Sequence, residues 1–504
     1  MKRSKRIYIL LGVLVVACIA TFAVIRFEEH KEKIRNSEEI ILAVPGDSVQ
    51  SLAWENETET LSFHRDDKWL YDEDEAFPVN EEKINERLEV FEEFGASFII
   101  EEVEDYGQYG LDDPICTINL STEEQSYEIL LGNYSNMDAQ RYVSIGDGNV
   151  YLVKNDPLNY FDAGLSDMIA HDETPRFENV TEVRFAGAET YKVIFEEDSD
   201  NTYRADDVYF AQLSGKSLPL DTSRVDSYLR NVSRLNLTDY VTYKVSDEDL
   251  QKYGLDEPEL TVTVNYSSED EEGEESPDTF VLHVSRDPEE RKAAEEAAKE
   301  EKAEGEAAKS ENKTAEDAAK EGEKAAKEAS KEDNDSPKEA EEEEITAYAR
   351  VGQSQIVYKI ASDDYKDLMA ASYDSLRHLE VLPADFADIR QIDISLEGND
   401  YTVTSEKKGD ERTYYYQEEE LEIADLQNAL EGLAADSFTV ERPRQNKEIG
   451  LTVHLDMEND PKIKIDLYRY DGTYCLAVVD GKPVSLVKRS NVVDLIEAVH
   501  AIVL

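Results

Sequence analysis

The sequence predicts an α+β fold: an N-terminal transmembrane helix followed by three repeats, each an antiparallel β-meander with one packed helix. Three observations carry this expectation. An unbroken apolar run fills Ile7–Ile25, near-identical hexapeptides YGLDDP and YGLDEP stand at Tyr109–Pro114 and Tyr253–Pro258, and apolar residues recur at i, i+4 and i+7 in three stretches. At 504 residues the chain exceeds what one core holds, and its hydrophobic content of 40% suffices for folded domains.

The first element is the apolar run, whose length matches the roughly 20 residues a helix needs to cross the hydrocarbon layer. Met1–Arg6 (MKRSKR) is strongly basic, whereas the flank after the run mixes charges. The positive-inside rule therefore keeps residues 1–6 in the cytoplasm as a basic tail. Residues 7–26 form the anchor in the cytoplasmic membrane, a single pass with the bulk of the chain outside. Two alternatives stay open: a signal peptide cleaved near Ala17–Ala20, and lipidation at Cys18, where Val15–Cys18 resembles a lipobox. The residues after Cys18 stay apolar, which favours the retained anchor.

The first repeat spans residues 47–170. Strand-like Leu61–Tyr71 leads through FPVN to a helix carrying Ile84, Leu88 and Phe91, then to YGLDDP and several short alternating runs. Residues 175–380 repeat this order, with Val225, Leu229 and Val232 on the helix and YGLDEP after it. Residues 381–504 hold a third copy, with Leu426, Leu430 and Leu433 on its helix, Gly450 and Leu451 standing for the turn without its Asp and Pro, and NVVDLIEAVHAIVL as a closing helix.

One segment breaks the pattern. From Asp287 to Glu344 the chain is almost only Glu, Lys and Ala, without an aromatic residue, Val, Ile, Leu or Met. With no apolar face it cannot join a core, and it is expected to be a solvated, partly helical insertion with coiled-coil-like and disordered composition. Its place corresponds to the short loop Asn133–Gln140 of the first repeat. It is therefore expected to be an overgrown hairpin loop within the second repeat.

The hexapeptides suit a structural turn. Gly110 and Gly254 admit a positive φ, Leu111 and Leu255 follow as apolar plugs, Asp112 and Asp256 are placed to accept local backbone N–H groups, and Pro114 and Pro258 fix φ before the next strand. Asn80 and Asp221 stand at the helix N-caps. With W-x-Y, FPVN, the spaced helix, YGLD-x-P and a later VYLV, the chain resembles an uncharacterised family of membrane-anchored bacterial proteins whose domain is of unknown function. Members are often encoded beside gliding-motility-type ABC exporters. The resemblance covers most of residues 47–380, and it implies an accessory extracytoplasmic role with an ABC transporter subunit or another envelope protein as partner. It supplies no catalytic residue.

Chemistry-bearing motifs do not emerge. The seven histidines form no H-x-x-x-H or H-E-x-x-H pair, and no nucleophile elbow, Walker loop or G-x-G-x-x-G precedes a helix. Cys116 and Cys475 lie in strand-like runs and read as buried thiols, with pairing between them left open. Asp66, Asp67, Asp72, Glu73, Asp74 and Glu75 crowd around Trp69 but lack a calcium-loop spacing. A net charge of −62 argues against nucleic acid as a partner. The expected function is a membrane-anchored, non-enzymatic binding or accessory protein without cofactor or metal. The alternatives are an envelope hydrolase or carbohydrate-binding protein, for which Trp69 and its acidic neighbours speak, and an extracellular spacer or adhesin.

Overall fold

Alternating apolar and polar residues, interrupted by Gly, Asn and Asp, fold the chain into antiparallel sheets. The computed structural model describes residues 39–101, 103–269, 275–297, 299, 344–409, 411–458 and 460–503. The apolar run with Cys18, and most of the Glu/Lys/Ala segment, lie outside the described residues. Among the described residues no helix is long and apolar enough to cross a membrane. The chain divides into two compact units, Met1–Asp172 and Glu173–Leu504.

In the first unit one sheet of eight strands runs in the order Trp69–Tyr71, Thr60–Arg65, Val49–Asn56, Cys116–Thr122, Ser126–Ser135, Gln140–Ser144, Val150–Val153 and Phe98–Ile100. The chain first lays strands outward from Val49–Asn56, leaves through the helix Glu81–Glu89, and deposits the far edge strand. It then returns beside its starting strand and fills the gap. Every second residue of the central pair faces inward, so Leu52 meets Leu120 and Trp54 meets Ile118 across the ladder, all buried. Trp54 stacks on Phe63 at 5.4 Å and meets Phe161 edge-on at 5.6 Å, closing an aromatic core.

The second unit holds two sheets of nine strands. One runs Lys216–Pro219, Tyr209–Leu213, Thr190–Phe195, Val180–Gly187, Leu260–Glu269, Glu275–Arg286, Ala347–Val351, Val357–Ile360 and Tyr240–Thr242. The other runs Glu419–Glu420, Glu411–Tyr416, Asn399–Lys408, Ile389–Leu396, Lys447–Leu455, Lys462–Arg469, Tyr474–Val479, Lys482–Lys488 and Ala435–Phe438. Both follow the outward-and-return course of the first unit. A short parallel bridge, Tyr203 to Ala384, ties the two sheets together.

One helix per sheet is a correction to make. Glu81–Glu89, Thr222–Ser233, Ala424–Glu431 and the closing helix Arg489–Val503 occupy the expected places, but Asp247–Lys252 and Ser362–Met369 join them. A helix of eight to twelve residues covers only part of a nine-stranded face. Arg489–Val503 therefore adds Val492, Leu495 and Val499 to the core that Leu426, Leu430 and Leu433 begin. The Glu/Lys/Ala segment leaves a hairpin whose last ladder pair is Arg286 and Ala347, closed by Asp287 N–H to Thr346 O at 2.9 Å.

Candidate functional site

The hexapeptides form the same turn twice. Gly110 and Gly254 take φ +70° and +67°, each just after a helical turn. The Leu111 N–H reaches back to Tyr106 O at 3.1 Å and Leu255 N–H to Leu250 O at 2.8 Å, while each glycine N–H bonds three residues back. This is the paired C-terminal helix closure that glycine permits. A side chain at Gly110 would strike Asn133 at 2.7 Å, and one at Gly254 would strike Ser285 Oγ at 2.8 Å. Leu111 and Leu255 are buried, and Tyr109 and Tyr253 pack on Tyr142 and Tyr348 at 4.9 and 4.7 Å. Pro114 and Pro258 stand just ahead of the strands Cys116–Thr122 and Leu260–Glu269. The turns thus clamp the return half of the first two of the large sheets.

Two expectations about this motif are corrected. Asp112 and Asp256 are exposed, and among the described residues their carboxylates accept no hydrogen bond; backbone groups alone close the turn. Gly450 and Leu451 do not form a turn, because they lie inside the strand Lys447–Leu455. Leu451 pairs with Ile394 there, the register at which Ile118 meets Trp54 in the first sheet. The third sheet joins Ala435–Phe438 to Lys447–Leu455 through residues 439–446, which hold no helical turn. Gly450 instead makes room for Lys447 and Asp466, whose Nζ and Oδ1 would lie 2.8 and 2.9 Å from a Cβ.

The other sequence candidates are placed as follows. The Asn80 side chain accepts from Lys83 N–H at 3.1 Å, and Asp221 accepts from Ser223 and Arg224 N–H at 2.9 and 3.3 Å. Trp69 is 2% exposed and packs inward, with the Arg65 guanidinium 5.9 Å from its ring, so it offers no platform to a sugar. Among the described residues no three His, Cys, Asp or Glu side chains converge as a metal site. Cys116 and Cys475 are buried and unpaired, and burial pushes both thiols up to about 12. At that value neither is a nucleophile near neutrality.

Two constellations escaped the sequence. His378 sits in the connection between the sheets of the second unit, with Nε2 2.7 Å from Asp207 Oδ1. Its Nδ1 faces Glu380 at 3.7 Å and Asp221 at 3.9 Å. Burial opposes its charge, but the bond to Asp207 and the Glu380 carboxylate outweigh that and raise it to about 9. The imidazole in turn holds Glu380 down to about 2. Arg204 donates to Leu382 O at 3.3 Å, and Thr202 donates to Asp207 at 2.6 Å. This network binds one sheet to the next.

The second constellation is a cleft of about 890 Å³ beside the end of the helix Thr222–Ser233. Its apolar side is Phe195, 41% exposed and edge-on to Tyr209 at 5.7 Å, together with Phe177, Val180 and Leu229. Burial, with Asp226 alongside, pushes the Tyr209 phenol up to about 12. Arg176, Arg230 and Arg234 stand at its rim, and among the described residues none of the three has a carboxylate partner. Among the described residues the Arg230 guanidinium donates to Ser227 Oγ alone, at 2.6 Å. The lining residues are separated by up to dozens of positions, and no local pattern links them.

The family described as Domain of unknown function (DUF4340) matches residues 69–258 and 213–293. The chain is similar to this family across both hexapeptides. That match supports an uncharacterised family and assigns no activity. No curated protein and no solved structure matches the chain.

Proposed function

We propose that the chain is a non-enzymatic binding module, built from three copies of one folding unit and held outside the cytoplasmic membrane by Ile7–Ile25. The observation that carries the binding reading is the cleft: its aromatic and arginine lining has the composition of a recognition surface. The shared outward-and-return course of the three sheets, with eight strands in the first and nine in the others, supports the copied unit. The basic tail Met1–Arg6 and the apolar run after it support the tether. An ABC exporter subunit is the partner implied by the family resemblance. The hydrolase and carbohydrate alternatives lose their main support with the burial of Trp69.

The test is affinity purification of the full chain from detergent-solubilised membranes. An identified permease or ATPase subunit recovered in stoichiometric amount is the expected result. Repeated recovery of the chain without any transporter subunit overturns the exporter partnership. A chain released from membranes by alkaline carbonate would overturn the tether.

A further inference from the structure

We propose that the cleft of the second unit binds an acidic segment of a partner protein, one carrying an aromatic or aliphatic side chain between its carboxylates; this rests on the binding-module reading above. The chain has 115 acidic residues against 53 Lys and Arg, so carboxylates are plentiful around its arginines. Arg184, Arg224, Arg291 and Arg412 each find one. Among the described residues Arg176, Arg230 and Arg234 do not, and neither do Arg65, Arg87, Arg350, Arg442 and Arg469; what sets the first three apart is that they line one depression together. Guanidinium groups pair carboxylates in bidentate fashion, so the rim has the donors that an incoming Asp or Glu needs.

The floor narrows the ligand further. Phe195, Val180 and Leu229 reward an apolar side chain, which a bare inorganic anion cannot supply. Glu197 and Asp226 share the lining, so a uniform polyanion would meet repulsion that a segment with spaced carboxylates avoids. The net charge of −62 does not forbid this, because charges beyond a Debye length of about 8 Å are largely screened at physiological salt. Local arginines decide.

The full-length chain in detergent is titrated into a dye-labelled peptide of alternating Glu and Phe, and into its counterpart with Lys for Glu, by fluorescence anisotropy. The Glu–Phe peptide is expected to bind and the Lys–Phe peptide not. The double variant R230E/R234E is expected to weaken binding by roughly tenfold or more, and Phe195→Ala to weaken it with no shift in melting temperature. Equal binding of both peptides, or unchanged affinity in the arginine variant, overturns the proposal. Full displacement by inorganic phosphate alone overturns it in favour of a simple anion site, and by phenylacetate alone in favour of a small-acid site. Partner recovery from membranes is scored separately. A chain that recovers a transporter subunit yet ignores the Glu–Phe peptide sinks the cleft assignment alone, whereas peptide binding without partner recovery sinks the exporter reading alone.

Discussion

At Gly254 the backbone is left-handed and Ser285 Oγ lies 2.8 Å from where a Cβ would stand. Gly254→Ala is therefore expected to cost at least the ~1–2 kcal/mol of a left-handed non-glycine residue, read as a lower urea midpoint. Gly450→Ala is expected to cost less, since it sits in an extended strand and meets only the ends of Lys447 and Asp466. Equal losses at both positions would contradict the assignment of the turn. His378 makes a second prediction. Its pKa is raised to about 9, so its contribution is complete below the ordinary 6.5 and is lost as pH climbs from there toward 9. Glu380 is lowered to about 2, so its contribution holds above 4.5 and is lost as pH falls toward 2; exposure of its carboxylate makes this the weaker limb. The melting temperature of the wild type is expected to be highest between these limits. His378→Gln is expected to flatten the alkaline limb, and an unchanged alkaline slope would remove the imidazole from the linkage.

Helices and hairpins show where sequence reading succeeds. Asn80 and Asp221 were legible as caps because a cap is a local arrangement of one short acceptor and the next turn's N–H groups. Asn80→Ala is expected to cost about 1 kcal/mol, with Asn80→Asp largely restoring it, measured by chemical denaturation. The YGLD turns were equally legible, since the left-handed glycine and the leucine plug act within six residues. Gly450 misled because a glycine and a leucine side by side also occur in a strand, and only the ladder to Ile394 tells the two apart. The cleft was invisible for a related reason: Arg176, Phe195 and Arg230 meet only after the sheet and helix have assembled. The position of the Glu/Lys/Ala segment was readable by comparing hairpins, and its ends are held by the Arg286–Ala347 pair. Excising residues 300–343 is therefore expected to leave the fold intact and to gain on the order of 1 kcal/mol from the shorter loop. A loss of cooperative unfolding in that deletion would mean the segment contributes to the core.

For the whole molecule, charge is the property that sequence reports most directly and contacts report least. A net −62 spread over two compact units makes self-repulsion a general destabilising term. Against it stand ion pairs of two kinds. Arg141–Asp156, at 2.6 Å, is buried and little screened by salt, while pairs such as Lys83–Glu86 are exposed and individually weak. Raising ionic strength from about 0.01 M to about 0.15 M shortens the Debye length from about 30 Å to about 8 Å, which removes repulsion between distant carboxylates but leaves the buried pair intact. The melting temperature is therefore expected to rise over that range, by the same amount in sodium and potassium chloride, because screening depends on ionic strength and not on ion identity. A fall in melting temperature would mean that exposed pairs outweigh the net charge. A rise specific to one cation would mean that the acidic surface holds it at a site, whereas among the described residues no three such side chains converge as one.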